Sequence, residues 1–244
     1  MTASRSPRPP VNVANLLTVA TRLFWVTLLK CLPLAMFGVL CLQVPNFYWL
    51  ASGHSLEHGF VPDRNYLLIS MAAVAVMLYF ISAMMLRQRA FASGAALDSW
   101  TELRFATQRL PAILLGWILA QLSLFVGFTL LIVPGIFLFV CYLAMLPVLL
   151  FEQPNPYLAL VRCVQLVRPH WWQVFAAFVI ALLATLICAL LAAAVLSIFA
   201  ALLLTDGSAV RAIVTAVEIG LGAMMCVFAS ALALTIHSAA SSSA

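Results

Sequence analysis

Charge is what this chain has least of. Only 8% of its residues are charged, against about 25% in a soluble domain, which excludes a fold dispersed in water. Polar blocks able to bury a core of their own are missing too: the longest, around 53–65 and 87–109, are too short. Apolar and polar residues do not alternate along the apolar runs, so barrel strands are excluded as the main element. H-E-x-x-H, G-x-S-x-G, a Walker A loop and a close carboxylate pair are all absent, leaving no hydrolytic or nucleotide-binding motif. The six cysteines (31, 41, 141, 163, 188 and 226) form no C-x-x-C pair. They read as small apolar fillers rather than a disulfide framework or a zinc site. No A-x-A site follows a short apolar region, so no cleavable signal peptide is predicted. No cofactor, metal or enzymatic activity is expected, since acid–base work needs a second positioned group.

What fills the chain is apolar: 66% of it is hydrophobic and its mean hydropathy is +1.14. A bilayer crossing takes about 20 apolar residues. Six runs satisfy this, near 31–51, 66–86, 112–132, 135–151, 174–204 and 209–237. The predicted fold class is therefore all-α, a polytopic membrane protein with six transmembrane helices forming a single domain over 15–238. Residues 1–14 and 239–244 are expected to be a disordered N-terminus and a flexible C-terminus.

The net charge of +5 is informative through its placement. Arg5, Arg8, Arg22, Lys30, Arg87, Arg89, Arg104, Arg109, Arg162 and Arg168 fall on one side of the six spans; Arg64 and Arg211 fall on the other. Positive residues stay inside, so both termini are expected in the cytoplasm. The cations stand singly at the ends of apolar runs, which speaks against nucleic acid as a partner.

Three times a basic residue is followed closely by proline at the mouth of a span: Lys30-Cys31-Leu32-Pro33, Arg109-Leu110-Pro111 and Arg168-Pro169. An amphipathic stretch precedes each. The first, 15–29, has Thr18 and Arg22 on its polar arc. In the second, 99–109, Ser99 and Glu102 have capping-box spacing, and Trp100, Leu103 and Ala106 make an apolar stripe. In the third, 157–168, Arg162, Gln165 and Arg168 oppose Leu158, Val161 and Val164. Proline is tolerated in a first helical turn and not inside a helix. Each threshold is therefore expected to end a surface helix and start a span, giving three units of surface helix plus hairpin. Pro134-Gly135 is expected to be a type II turn joining the third and fourth spans.

Few residues in this pattern bear chemistry. Glu218 is the acid well inside a span, where a charge costs several kcal/mol unless paired or protonated. It points either to a polar lining or ion-linked site, or to a protonated packing carboxyl. Gln121, Ser123 and Thr129 of the third span divide in the same way between a path and interhelical bonds. Arg104, Arg109, Arg162 and Arg168 are suited to anionic lipid headgroups or simple anchoring. Trp171 and Trp172, with Trp100, are interfacial aromatics. Glu152 closes the fourth span, where the helix dipole disfavours an anion; a pair with Arg162 would offset that. His54 and His58 have metal-ligand spacing but sit among Gly53, Gly59 and Pro62, and read as a solvated loop.

The order Pro134-Gly135, Pro147-Val148, Glu152, Ala159-Leu160, Leu166-Val167-Arg168 and Trp172 resembles the YciC-like inner-membrane proteins. It also resembles the membrane domain attached to some glycerophosphodiester phosphodiesterases. The likeness covers about 95–175. It departs at Cys163, where the family often has Ser, and near Pro169-His170, where it often has Gly. The resemblance implies a six-span bacterial inner-membrane protein. It does not imply phosphodiesterase activity, whose catalytic part is a separate soluble barrel. The expected function is that of a non-enzymatic membrane protein touching lipids or a membrane-protein partner, in envelope upkeep or complex assembly. The alternative is a transporter or permease-like subunit for an apolar or lipid-like substrate, with Glu218 as its polar determinant.

Overall fold

The computed structural model describes residues 12–52, 63–94, 99–203 and 207–243. Among them there is no strand. The helices are α1 (Val13–Ala51), α2 (Arg64–Ser93), α3 (Ser99–Leu130), α4 (Ile132–Tyr142), α5 (Met145–Phe151), α6 (Pro156–Val167), α7 (Trp171–Leu203) and α8 (Gly207–Ser243), with a 3-10 turn at Arg168–His170 between α6 and α7. Six stretches are long and apolar enough to cross a membrane: Val13–Trp49, Arg64–Ser93, Trp100–Leu130, Ile132–Phe151, Pro156–Ala192 and Val214–Ser241. The chain is a multi-pass membrane protein by length and composition.

The thresholds differ from their sequence reading. Pro33 and Pro111 lie inside α1 and α3, which run on unbroken. A proline removes one helical donor and crowds the preceding turn, and membrane helices tolerate this when a neighbour satisfies the freed carbonyls. Pro33 leaves the Leu29 carbonyl without its helical donor, and one residue on Arg87 Nη1 donates to the Lys30 carbonyl at 2.9 Å. With 39 residues, α1 is ~58 Å long at 1.5 Å per residue, well beyond the ~30 Å hydrocarbon layer. Of the three thresholds, only Arg168-Pro169-His170 interrupts a helix. At the C-terminal end α8 stays helical to Ser243, with Ala240 buried, where a flexible tail is expected from sequence.

The break between the third and fourth spans is Leu131, extended at φ −163° and ψ 142°, and Pro134-Gly135 belongs to the first turn of α4. The described residues contain one positive φ, at Gly94 (70°), so Gly135 is no type II turn residue. Proline fits a first helical turn, where its missing N–H is not needed. Glycine is required there for space: a Cβ on Gly135 would come within 2.5 Å of the Phe128 ring, and one on Gly127 within 3.2 Å of the Gly135 Cα. The α3–α4 hairpin is drawn tight by two glycines facing one another. Gly127→Leu will force it apart and lower stability by about 1–3 kcal/mol, read as a fall in the thermal unfolding midpoint in detergent.

The fourth crossing is divided. Pro147 cannot donate to the helix before it, and the chain turns at residues 143–144 before α5 begins. A capped entry follows: the Asn155 side chain accepts from the Tyr157 N–H at 3.1 Å, and Pro156 opens α6. Sequence periodicity suggests that α6 lays Leu158, Val161 and Val164 on the membrane. Leu158 and Val161 do face out, and the opposite face, Ala159, Leu160, Cys163, Leu166 and Val167, is buried against α3, α4 and α5. The helix therefore doubles back along the hairpin and brings Trp171 to it: the indole Nε1 donates to the Phe137 carbonyl at 3.3 Å.

Helices α1, α2 and α8 form the central group, with α3 to α6 on one flank and α7 beside α8 and α4. Small residues let α1 and α8 approach: Cys31, Ala35, Ala223, Val227 and Ala231 are buried in one cluster with Met84 of α2. On α7 the apolar residues cover all faces, as suits a lipid-facing span.

Candidate functional site

Polar chemistry gathers where α2 ends. An α-helix turns about 100° per residue, so three consecutive polar residues leave it in three directions. Arg87, Gln88 and Arg89 do this.

Arg87 reaches α3. Its Nε and Nη2 meet Glu102 Oε2 at 2.9 and 2.8 Å, and the Glu102 side chain is only 3% exposed. Capping-box spacing assigns Glu102 to the α3 entrance; the structure gives it to Arg87, while the Ser99 side chain lies outside the described residues. Gln88 is fully buried and joins α2 to α8. Its Nε2 donates to the Val227 carbonyl at 3.0 Å, and its Oε1 accepts from the Ser230 hydroxyl at 2.9 Å. Arg89 reaches α5, its guanidinium lying over the Phe151 ring at 3.9 Å.

Next to Phe151 stands Glu152, which serves two helices. Its Oε2 accepts from Arg162 Nε of α6 at 3.2 Å, and its Oε1 lies 2.8 Å from His237 Nε2 of α8. The pair with Arg162, expected from the helix dipole at the end of the fourth span, is made, and it holds α6 against α5. His237 also leans on the Phe151 ring, with centroids 6.4 Å apart. Together these contacts tie α1, α2, α3, α5, α6 and α8 at one end of the bundle.

The other candidate residues are dispersed. Arg104 and Arg168 are exposed; Arg109 is half-buried over Phe105, 5.5 Å from its centroid. Trp171 stacks between Phe137 and Phe175, with centroids at 5.8 and 5.1 Å, and so locks the start of α7. Trp172 is 74% exposed and is the member of the pair free to meet an interface. Ser123 joins α3 to α4 through the Tyr142 hydroxyl at 3.2 Å, while Thr129 bonds its own helix and Gln121 faces out. Glu218 is exposed on α8, next to Ile219 and close to Ala223, both of which pack on α1. It has no partner among the described residues and borders none of the described cavities. The side chain of Arg211 and the His54–His58 loop lie outside the described residues.

Gln88, Ser230, His237 and Phe151 do not stand out from sequence. A signal was present for the first: a glutamine between two arginines at the inner end of a span has one face left for the bundle.

Comparison with family models, with curated proteins and with solved structures finds no match. The geometry above therefore carries the functional reading.

Proposed function

We propose that this is a non-enzymatic protein of a bacterial inner membrane, with both termini cytoplasmic, whose basic end holds anionic lipid headgroups in envelope upkeep or complex assembly. One observation supports this most. The described carboxylates of that end, Glu102 and Glu152, are already taken by Arg87 and by Arg162 with His237. Arg22, Arg104 and Arg168 are left facing outward, and an anionic leaflet attracts such residues by about 1 kcal/mol each. The likeness of 95–175 to the YciC-like proteins is part of the same proposal.

The combined substitution Arg104→Gln, Arg109→Gln, Arg168→Gln tests it. None of the three has a carboxylate partner among the described residues, so the fold should persist. The ratio of phosphatidylglycerol to zwitterionic lipid that co-purifies should fall several-fold, at roughly fivefold per 1 kcal/mol lost. An unchanged ratio would sink the reading. Arg162 is left in place because its charge belongs to Glu152.

A further inference from the structure

We propose that the recess between α1, α2, α5 and the C-terminal half of α8 is a dedicated site for the phosphate of an anionic phospholipid, with Arg89 taking the phosphate. The inference rests on the functional reading above and narrows it from a charged surface to one place.

The recess is a cavity of about 330 Å³ bordered by Arg89 and His237, by the Ser238 and Ser241 hydroxyls, and by the apolar side chains of Val19 and Leu23. Its two halves differ in chemistry, as the two parts of a lipid do. On the polar half, Arg89 lies on Phe151 at 3.9 Å. This contact holds the guanidinium carbon over the ring without using its five N–H donors. No acceptor among the described residues takes them. Arg89 is exposed at the edge of the cavity, and its planar fork suits two phosphate oxygens. His237 forms the facing wall, its Nε2 held by Glu152.

Two helices end here, α2 at Ser93 and α8 at Ser243. Their carbonyl ends favour cations and give an anion no backbone donors. The hold on a phosphate therefore comes from side chains, and Arg89 supplies most of it. Free phosphate would leave the Val19 and Leu23 wall bare. The start of an acyl chain would cover it, continuing along the exposed apolar side chains of Val26 and Leu29 on α1.

The test uses the full-length protein in nanodiscs made of equal parts phosphatidylglycerol and phosphatidylcholine, released for native mass spectrometry. The wild type should keep one phosphatidylglycerol after the looser lipids have left. Arg89→Gln should reduce that retention about tenfold, the loss of one charged bidentate contact. Leu23→Trp, which fills the apolar half and keeps the charge, should reduce it too. Arg104→Gln should lower the total lipid count and spare the retained molecule.

Retention by Arg89→Gln equal to wild type would overturn the site; so would retention of phosphatidylcholine as readily as phosphatidylglycerol. Inorganic phosphate alone raising the unfolding temperature of wild type but not of Arg89→Gln, with no lipid kept, would assign the recess to a soluble anion and overturn the lipid source. If the triple arginine variant loses its anionic lipid while Arg89→Gln keeps the wild-type retention, this site is wrong and the broader reading survives. If neither changes anything, both fall.

Discussion

Glu102→Ala will destabilise the bundle by about 3–5 kcal/mol, the cost of leaving a buried partner charge without compensation. The Arg87 side chain is 18% exposed and cannot leave its place, since its Nη1 also holds the Lys30 carbonyl. Without the carboxylate that cation stands beside Cys31 and the α1 backbone, with a second cation, Lys30, close by over the Phe91 ring at 4.0 Å. The double variant Arg87→Met, Glu102→Met should recover most of the loss, because paired burial of charge often stabilises little over a well-packed apolar pair. Denaturant titration in detergent reads both. A single variant as stable as wild type would mean that the ion pair is open to water.

Gln88→Ala ranks second, at about 2–3 kcal/mol. Most of that comes from the cavity left at a fully buried position, and the rest from two interhelical hydrogen bonds worth about 0.6 kcal/mol each in a membrane. Gln88→Leu separates the two contributions: it fills the space, loses only the bonds, and should cost about 1 kcal/mol. Ser230 keeps a partner in either case, since its hydroxyl also reaches the Val227 carbonyl at 2.9 Å. Equal losses for alanine and leucine would mean that the bonds dominate rather than the packing.

What could be read from the residues follows from which forces act along the chain. Apolar run length locates the crossings, because the bilayer sets their length whatever packs beside them. The Glu152–Arg162 pair was legible for a local reason: an acid at a helix C-terminus needs a cation, and one stands ten residues on. The proline thresholds misled because a chain-local rule says that Pro33 and Pro111 end helices. Both prolines lie inside unbroken helices, and near Pro33 a donor from another helix, Arg87, 57 residues away, reaches the α1 backbone at the Lys30 carbonyl. Gly135 looked like a turn because of the proline before it, and its role is set by Phe128 across the hairpin. The Gln88–Ser230 and Glu152–His237 contacts depend on how helices are rotated about their axes. Periodicity sets that only when one face differs from the rest, and on helices this apolar it does not.

The fan of Arg87, Gln88 and Arg89 carries one more consequence. A side chain can be exchanged at any of the three positions and the other two still point at their own partners. Adding a single residue just before them is different, for it swings the whole fan by about 100°. The ion-pairing arginine would then point at the slot shaped for the amide, and the amide at the aromatic ring. This part of the chain tolerates spelling changes far better than slips of the reading register.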